Sequence, residues 1–302
     1  MSYPSFLARL RQLPADPALP PQLLQTRQWD GPLCRVRLDN TGSSPEAVRH
    51  WRLFEGALGL SPDAAIYGEG FQMLAQTMGS WQAPEPVGRC PDAGVYRITE
   101  DDGYHTVHNL LLVACEGGWL LLAFASCQRF GGEFRLHPDG RLEIVMNTEG
   151  RTLAPGAHWQ SEALICLEGP DREALLATLA QHIAAEHGSL VGEVPTRPSG
   201  WCSWYHYYAN VSAADIRENL AVRAERFPAL RYVQIDDGYQ ARMGDWLTPS
   251  AKFEEGVAAL AGEIRAAGCE PALWVAPFIA EPGSQVFQQH PDWFVKGEDG
   301  LP

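Results

Sequence analysis

Three short apolar runs, Gly200 to Tyr205, Arg231 to Asp236 and Pro271 to Ala276, alternate with two helical ones in the last third of the chain. That alternation leaves few folds open. Ser212 is placed to cap a helix through Ile216, Leu220 and Arg223 that stops before Pro228. A second helix is predicted from about Phe253 to Ala267, with Gly268 as its stop. Strand, helix and parallel strand make a right-handed unit, and such units gather ligands at the carboxyl ends of their strands. Trp204, Asp236, Asp237 and Trp274 all fall at or near those ends.

The earlier part of the chain has a different period. From about residue 30 to 168, short apolar runs are separated by turn residues, as in Phe134 to Leu136 and Leu142 to Val145 around Pro138-Asp139-Gly140, which predicts a hairpin. Turn signals at Gly117-Gly118, Gly131-Gly132 and Pro155-Gly156 suit an antiparallel sandwich. Asn109 to Cys127 reads as two buried strands about a turn. Asp171 then caps a predicted helix through Leu175, Leu176, Leu179 and Ile183. The run Gly188 to Pro198, rich in proline and glycine, is the expected linker. The expected domains are therefore 1–192, a β-sandwich with trailing helix and linker, and 193–302, a β/α domain.

Composition removes several classes of partner. A net charge of -14 argues against nucleic acid, which requires clustered Lys and Arg to displace counterions. No apolar run reaches the ~20 residues that cross a bilayer, so no membrane partner is expected. The amino terminus lacks a signal-peptide core, and the expected address is the cytoplasm. Seven scattered cysteines without a Cys-x-x-Cys pair read as free thiols. His105 and His108, three apart on a strand, fall on opposite faces, and no metal or other cofactor is expected. The sequence leaves a homo-oligomer open.

Asp236 and Asp237 stand together at a strand end, where unpaired charge is costly, so something must satisfy them. One alternative is structural, a cap and a salt bridge. The other is that both accept hydrogen bonds from the hydroxyls of a polyol. They are poorly placed to be the acid and base of a glycosidase, because such carboxyls flank one bond from opposite sides, and adjacent strand residues point to opposite faces. Trp201, Trp204, Tyr205, Tyr207 and Tyr208 are too many aromatics to bury together on one connection, and sugar rings stack on such surfaces. Trp274 is a similar case.

Gly200-Trp201-Cys202-Ser203-Trp204-Tyr205, Gln234 to Gln240, Gly244-Asp245-Trp246, Leu273 to Phe278 and His290 to Trp293 resemble, in order, the sequence blocks of bacterial α-galactosidases of glycoside hydrolase family 36, the melibiase group. The resemblance implies an antiparallel β-supersandwich followed by the first three β/α units of a (β/α)8 TIM barrel. It implies that Asp236 and Asp237 hold galactose hydroxyls, including the axial one, and that Trp204 and Trp274 line the same pocket. Glu69-Gly70-Phe71-Gln72 is similar to the family's Asn-Gly-Trp-Gln block, which gives Phe71 the role of an aromatic lid, with Phe in place of Trp and Glu in place of Asn. Cys202 is expected to pack rather than react.

In the family the nucleophilic aspartate lies on the fourth barrel strand and the acid/base aspartate on the sixth. Neither falls within these residues, so no catalytic residue is assigned, both being expected beyond Pro302, and the chain is expected to be a fragment without hydrolytic activity of its own. The implied substrate is an α-galactoside oligosaccharide, cleaved with retention. Two alternatives stand beside it: galactosyl transfer of the raffinose or stachyose synthase type, and a non-catalytic carbohydrate-binding or interaction module. Against an independent module, three parallel strands leave an edge that aggregation or a partner chain would cover.

Overall fold

The computed structural model describes residues 5–14, 16, 18–71, 75–88, 103–188, 197–297 and 300–301. Cys90, Gln72 and most of the linker expected between Gly188 and Pro198 lie outside them. The chain divides into two units, Met1–Gly192 and Glu193–Pro302.

The first unit opens with helix α1 (Phe6–Gln12) and the strands β1 (Leu23–Asp30), β2 (Leu33–Asn40), β3 (Glu46–Ala47), β4 (His50–Gly56), β5 (Ile66–Glu69), β6 (Gln76–Gly79) and β7 (Pro84–Val87). It continues with β8 (His105–Cys115), β9 (Gly118–Phe124), β10 (Gly131–Leu136), β11 (Leu142–Asn147), β12 (Thr152–Leu153), β13 (His158–Gln160) and β14 (Leu164–Gly169), and ends in α2 (Arg172–His187). Twelve of these strands form one antiparallel sheet whose main path runs β1-β2-β14-β9-β8-β10-β11-β4.

The hairpin predicted around Pro138-Asp139-Gly140 joins β10 to β11: the His137 N–H donates to Arg141 O at 2.9 Å, and Asp139 Oδ1 accepts the Arg141 N–H at 3.0 Å. Asn109 to Cys127 supplies the hairpin β8–β9. Asn109 takes a φ of 53°, and beside it the β5–β8 register shifts, so β8 pairs with β10 up to His108 and with β9 from Leu110, while β5 pairs with it on both sides of the bulge.

The sheet curls so that one face encloses a single core. Alternation along the strands sorts the side chains: Leu120, Leu122, Phe124, Leu164 and Cys166 point into that core with Trp51, Phe54 and Phe134, while Leu121, Ala123 and Ile165 point outward beneath Leu175 and Leu179 of α2. Asp171 caps α2 as expected, its carboxylate accepting the Glu173 and Ala174 N–H groups at 2.9 and 3.4 Å. The terminal strands β1 and β4 face each other across a seam closed by side chains. Gln25 Nε2 and Arg27 on β1 donate to Leu53 O on β4 at 3.0 and 2.6 Å, the Trp51 indole N–H donates to Gln25 Oε1 at 2.7 Å, and Arg27 lies over the Phe54 ring.

The second unit contains β15 (Gly200–Cys202), α3 (Trp204–Tyr207), α4 (Ala213–Arg226), β16 (Tyr232–Ile235), α5 (Gly256–Ala266), β17 (Glu270–Leu273) and α6 (Gln285–Gln289). The three strands are parallel in the order β15-β16-β17. Ser212 caps α4 through a reciprocal capping box with Asp215. Ile216, Leu220, Leu260 and Ile264 of α4 and α5 pack with Val233 and Ile235 on one face of the sheet. The other face carries Cys202, Tyr232, Gln234 and Ala272, all half-buried, around a shallow depression of ≈ 310 Å³.

Two expected strands end three residues earlier than predicted. β15 stops at Cys202 because Ser203 turns the chain: its N–H donates to Gln234 O at 3.2 Å while its hydroxyl accepts the Asp236 N–H at 2.9 Å. β17 stops at Leu273, although the Trp274 N–H still donates to Ile235 O at 3.0 Å. Among the described residues no helix is long and apolar enough to cross a membrane.

Candidate functional site

The alternation of β16 sets the first carboxylate. Val233 and Ile235 face the helices, so Gln234 and Asp236 share the opposite side. Gln234 Nε2 donates to Asp236 Oδ2 at 2.6 Å, the Cys202 thiol donates to the same oxygen at 3.3 Å, and the Asp237 N–H donates to Asp236 Oδ1 at 2.9 Å. Asp236 is buried, 8% exposed, yet none of these partners is a cation. Its charge is therefore solvated by neutral donors rather than cancelled. Burial, reinforced by the neighbouring carboxylate, raises the Cys202 thiol above the usual thiol range, so it stays protonated and able to donate.

Asp237 is half-buried and tethered separately: Gln240 Nε2 donates to its Oδ1 at 2.6 Å, and Gln240 Oε1 accepts the Gly238 N–H at 3.2 Å. Gly238 has φ 113°, and a Cβ there would collide with the Ala209 carbonyl. The aspartates are thus held on two tethers, one from two residues before the first and one from three residues after the second. Among the described residues neither forms the salt bridge that the structural alternative supposed.

The aromatic run divides. Trp201 and Tyr207 pack against the core between the sheet and its helices, with the Tyr207 phenol oxygen accepting from Asn219 Nδ2 at 2.8 Å. Trp204 lies in the first turn of α3, not on a strand, and meets Tyr208 edge-on at 5.3 Å. Tyr205 and Tyr208 are exposed, and Tyr208 takes a φ of 50°. Trp274, just past β17, is half-buried against Trp246 at 5.9 Å and an interplanar angle of 79°.

Phe71 belongs to the first unit, where it is 59% exposed with its ring edge on His108 at 5.5 Å. Burial holds the His108 imidazole below its usual range and pushes the Glu69 carboxyl above its own. His105 Nε2 is 2.8 Å from Thr77 Oγ1. Among the described residues no group of three or more His, Cys, Asp or Glu could hold a metal ion, and the six cysteines described are free.

Ser203, Gln234, Gln240 and Trp246 lie within the sequence blocks that carry the resemblance but received no role of their own from the sequence. The signal for Gln234 was available in the alternation, since a polar residue two before a strand-end aspartate shares its face. Gln240 and Trp246 act through turns that have no such period.

The class these features define is a β/α protein with a polar site at its strand ends, preceded by a curled antiparallel unit. Residues 202–301 match the Melibiase family model. Over 110 residues it is 31% identical to an alpha-galactosidase of Escherichia coli, an alignment covering 34% of this chain and 15% of the relative. Alpha-galactosidase AgaA of Geobacillus stearothermophilus is 30% identical over 89 residues, 26% of this chain and 12% of that protein. The fold is that of TtGalA, the Thermus thermophilus alpha-galactosidase solved with stachyose, at a TM-score of 0.56 and 22% identity, covering 92% of this chain and 57% of that one. The chain thus matches only a small part of the length of its curated relatives.

Proposed function

We propose that this chain provides the galactose-recognising part of a family 36 α-galactosidase, a retaining glycoside hydrolase acting on terminal α-linked galactose. The observation that carries this reading is the pair Asp236 and Asp237, each held by its own glutamine and neither matched to a cation among the described residues. A carboxylate anchored by neutral donors remains a strong acceptor for hydroxyl O–H groups. Two of them on separate tethers can read two hydroxyls of one ring. Trp204 and Trp274 would supply the apolar walls against which the C–H face of the sugar lies.

On this reading residues 1–192 are the supersandwich and residues 193–302 the first three units of the barrel. The family relatives named above, and the stachyose bound in TtGalA, support an α-galactoside oligosaccharide as substrate. Cleavage through a glycosyl-enzyme needs a nucleophile and an acid/base, and the family resemblance assigns neither role to a residue among 1–302. The 302-residue chain is expected to leave an aryl α-galactoside intact, and measurable turnover would overturn the division of labour.

Isothermal titration tests recognition directly. Galactose should bind more tightly than glucose, and Asp237→Ala should lower galactose affinity roughly ten-fold or more, the cost of a lost charge-assisted hydrogen bond. Equal binding of the two sugars would sink the role given to the aspartate pair.

A further inference from the structure

Asp245 is buried, 8% exposed, and no cation pairs with it among the described residues. Its Oδ1 instead accepts the Gln285 N–H at 2.9 Å and the Val286 N–H at 3.4 Å. It thereby fastens the loop after β16 to the segment that follows β17. The residues before it grip the same segment. Arg242 lies 3.5 Å from Glu281, Met243 O accepts the Glu281 N–H at 3.0 Å, and Gly244, at φ 102°, sits so close that a Cβ would lie 2.8 Å from Ala280 Cβ and 3.0 Å from Val286 Cγ1. Residues 242–245 therefore form one continuous clamp.

Trp246 leaves that clamp directly, and Leu247 after it is 98% exposed. The Trp246 indole packs in part against the core of the second unit, and the clamp before it fixes where its backbone enters that packing. What it meets is Trp274, edge to face at 5.9 Å.

We infer that Asp245 is a positioning residue for the sugar pocket: by bridging the two loops it sets Trp246 against Trp274 and so fixes the orientation of the Trp274 wall. This rests on the assignment of Trp274 to that pocket. Burying a carboxylate without a counter-charge is costly, and here the return is the fixed geometry of two indoles. The Trp246 indole is a specificity element that acts without touching sugar.

Two readouts on the whole 302-residue chain separate the clamp from the sugar reading. Two indoles held edge to face couple their transitions, giving a circular-dichroism couplet that Trp246→Phe abolishes and thereby assigns. Asp245→Ala should remove that couplet and weaken galactose binding about ten-fold, as expected for the loss of two hydrogen bonds to a charged acceptor. Asp245→Asn, which keeps an oxygen at Oδ1, should retain the couplet and bind within about three-fold of wild type.

An unchanged couplet in Asp245→Ala, or a lost couplet with unchanged galactose affinity, overturns the positioning role. If Asp245→Ala does not fold, amide exchange decides: slow exchange at Gln285 and Val286 in wild type and Asp245→Asn supports the clamp, and exchange in wild type as fast as in an unbonded loop overturns it. A wild-type chain that binds galactose no better than glucose defeats the sugar reading, and the positioning role with it, whatever the couplet shows.

Discussion

In the first unit the ends of the sheet, β1 and β4, are stitched to one another by Gln25, Arg27 and Trp51. In the second, β15 and β17 end a three-stranded sheet with helices, among the described residues, on one face, and the residues just beyond β17 include the exposed Val275 and Phe278. Parallel sheets ordinarily have both faces covered. The contrast separates two kinds of order. The first unit is held by closure, with core and seam supporting each other. The second is held by one apolar layer and by polar tethers that fix a few side chains in place, and these are the side chains of the candidate site.

The largest expected effect tests closure. Trp51 is fully buried and also holds Gln25, so Trp51→Ala should cost ~4 kcal/mol through the cavity and the released partner. In urea denaturation followed separately for each unit, only the transition of the first should move. A matching shift in the second would mean that the two do not unfold independently, and the contrast would fail.

Gln25→Ala sharpens the same point more gently. It leaves the buried Trp51 N–H unsatisfied and should cost about 1–3 kcal/mol. A cost near zero, read from the same denaturation curves, would show that the seam follows from the core rather than supporting it.

The smallest effect is on pH. Burial pushes the Cys34 thiol up to about 11 and the Cys166 thiol up to about 12, so the folded first unit keeps two protons that the unfolded chain releases at the ordinary thiol value. The stability they contribute is whole below about pH 9 and declines as pH rises toward 11–12. Denaturation midpoints measured across that range should fall for the wild type and fall less for Cys34→Ala with Cys166→Ala. Equal slopes would remove the thiols from the account.

What could be read from the sequence follows from the range of the interactions involved. The hairpin at Pro138-Asp139-Gly140, the Asp171 cap and the Ser212 cap depend on residues a few positions apart, and each is where the pattern puts it. The carboxylate pair was legible because two charges at a strand end are conspicuous. Trp204 and Trp274 were placed on strands since aromatic residues suit an extended chain, yet Ser203 turns the chain at the first site and β17 ends at Leu273 before the second. The register shift between β5 and β8 falls beside Asn109, and an asparagine in a strand gives no warning of it. The glutamine tethers and the Asp245 clamp join residues through turns, where no periodicity guides the eye.

The β1–β4 seam also bears on the order in which the chain assembles. The β8–β9 hairpin turns tightly between Cys115 and Gly118 and can form early, whereas β14 must find β2, pairing Leu164 with Cys34 across most of the unit. The β1–β4 seam needs both sheet ends in place and so closes late. Until then the free backbone of β1 can pair with a second molecule as readily as with its own sheet. Recovery from denaturant should therefore be slow and increasingly incomplete as protein concentration rises, a consequence of the same closure that stabilises the finished unit.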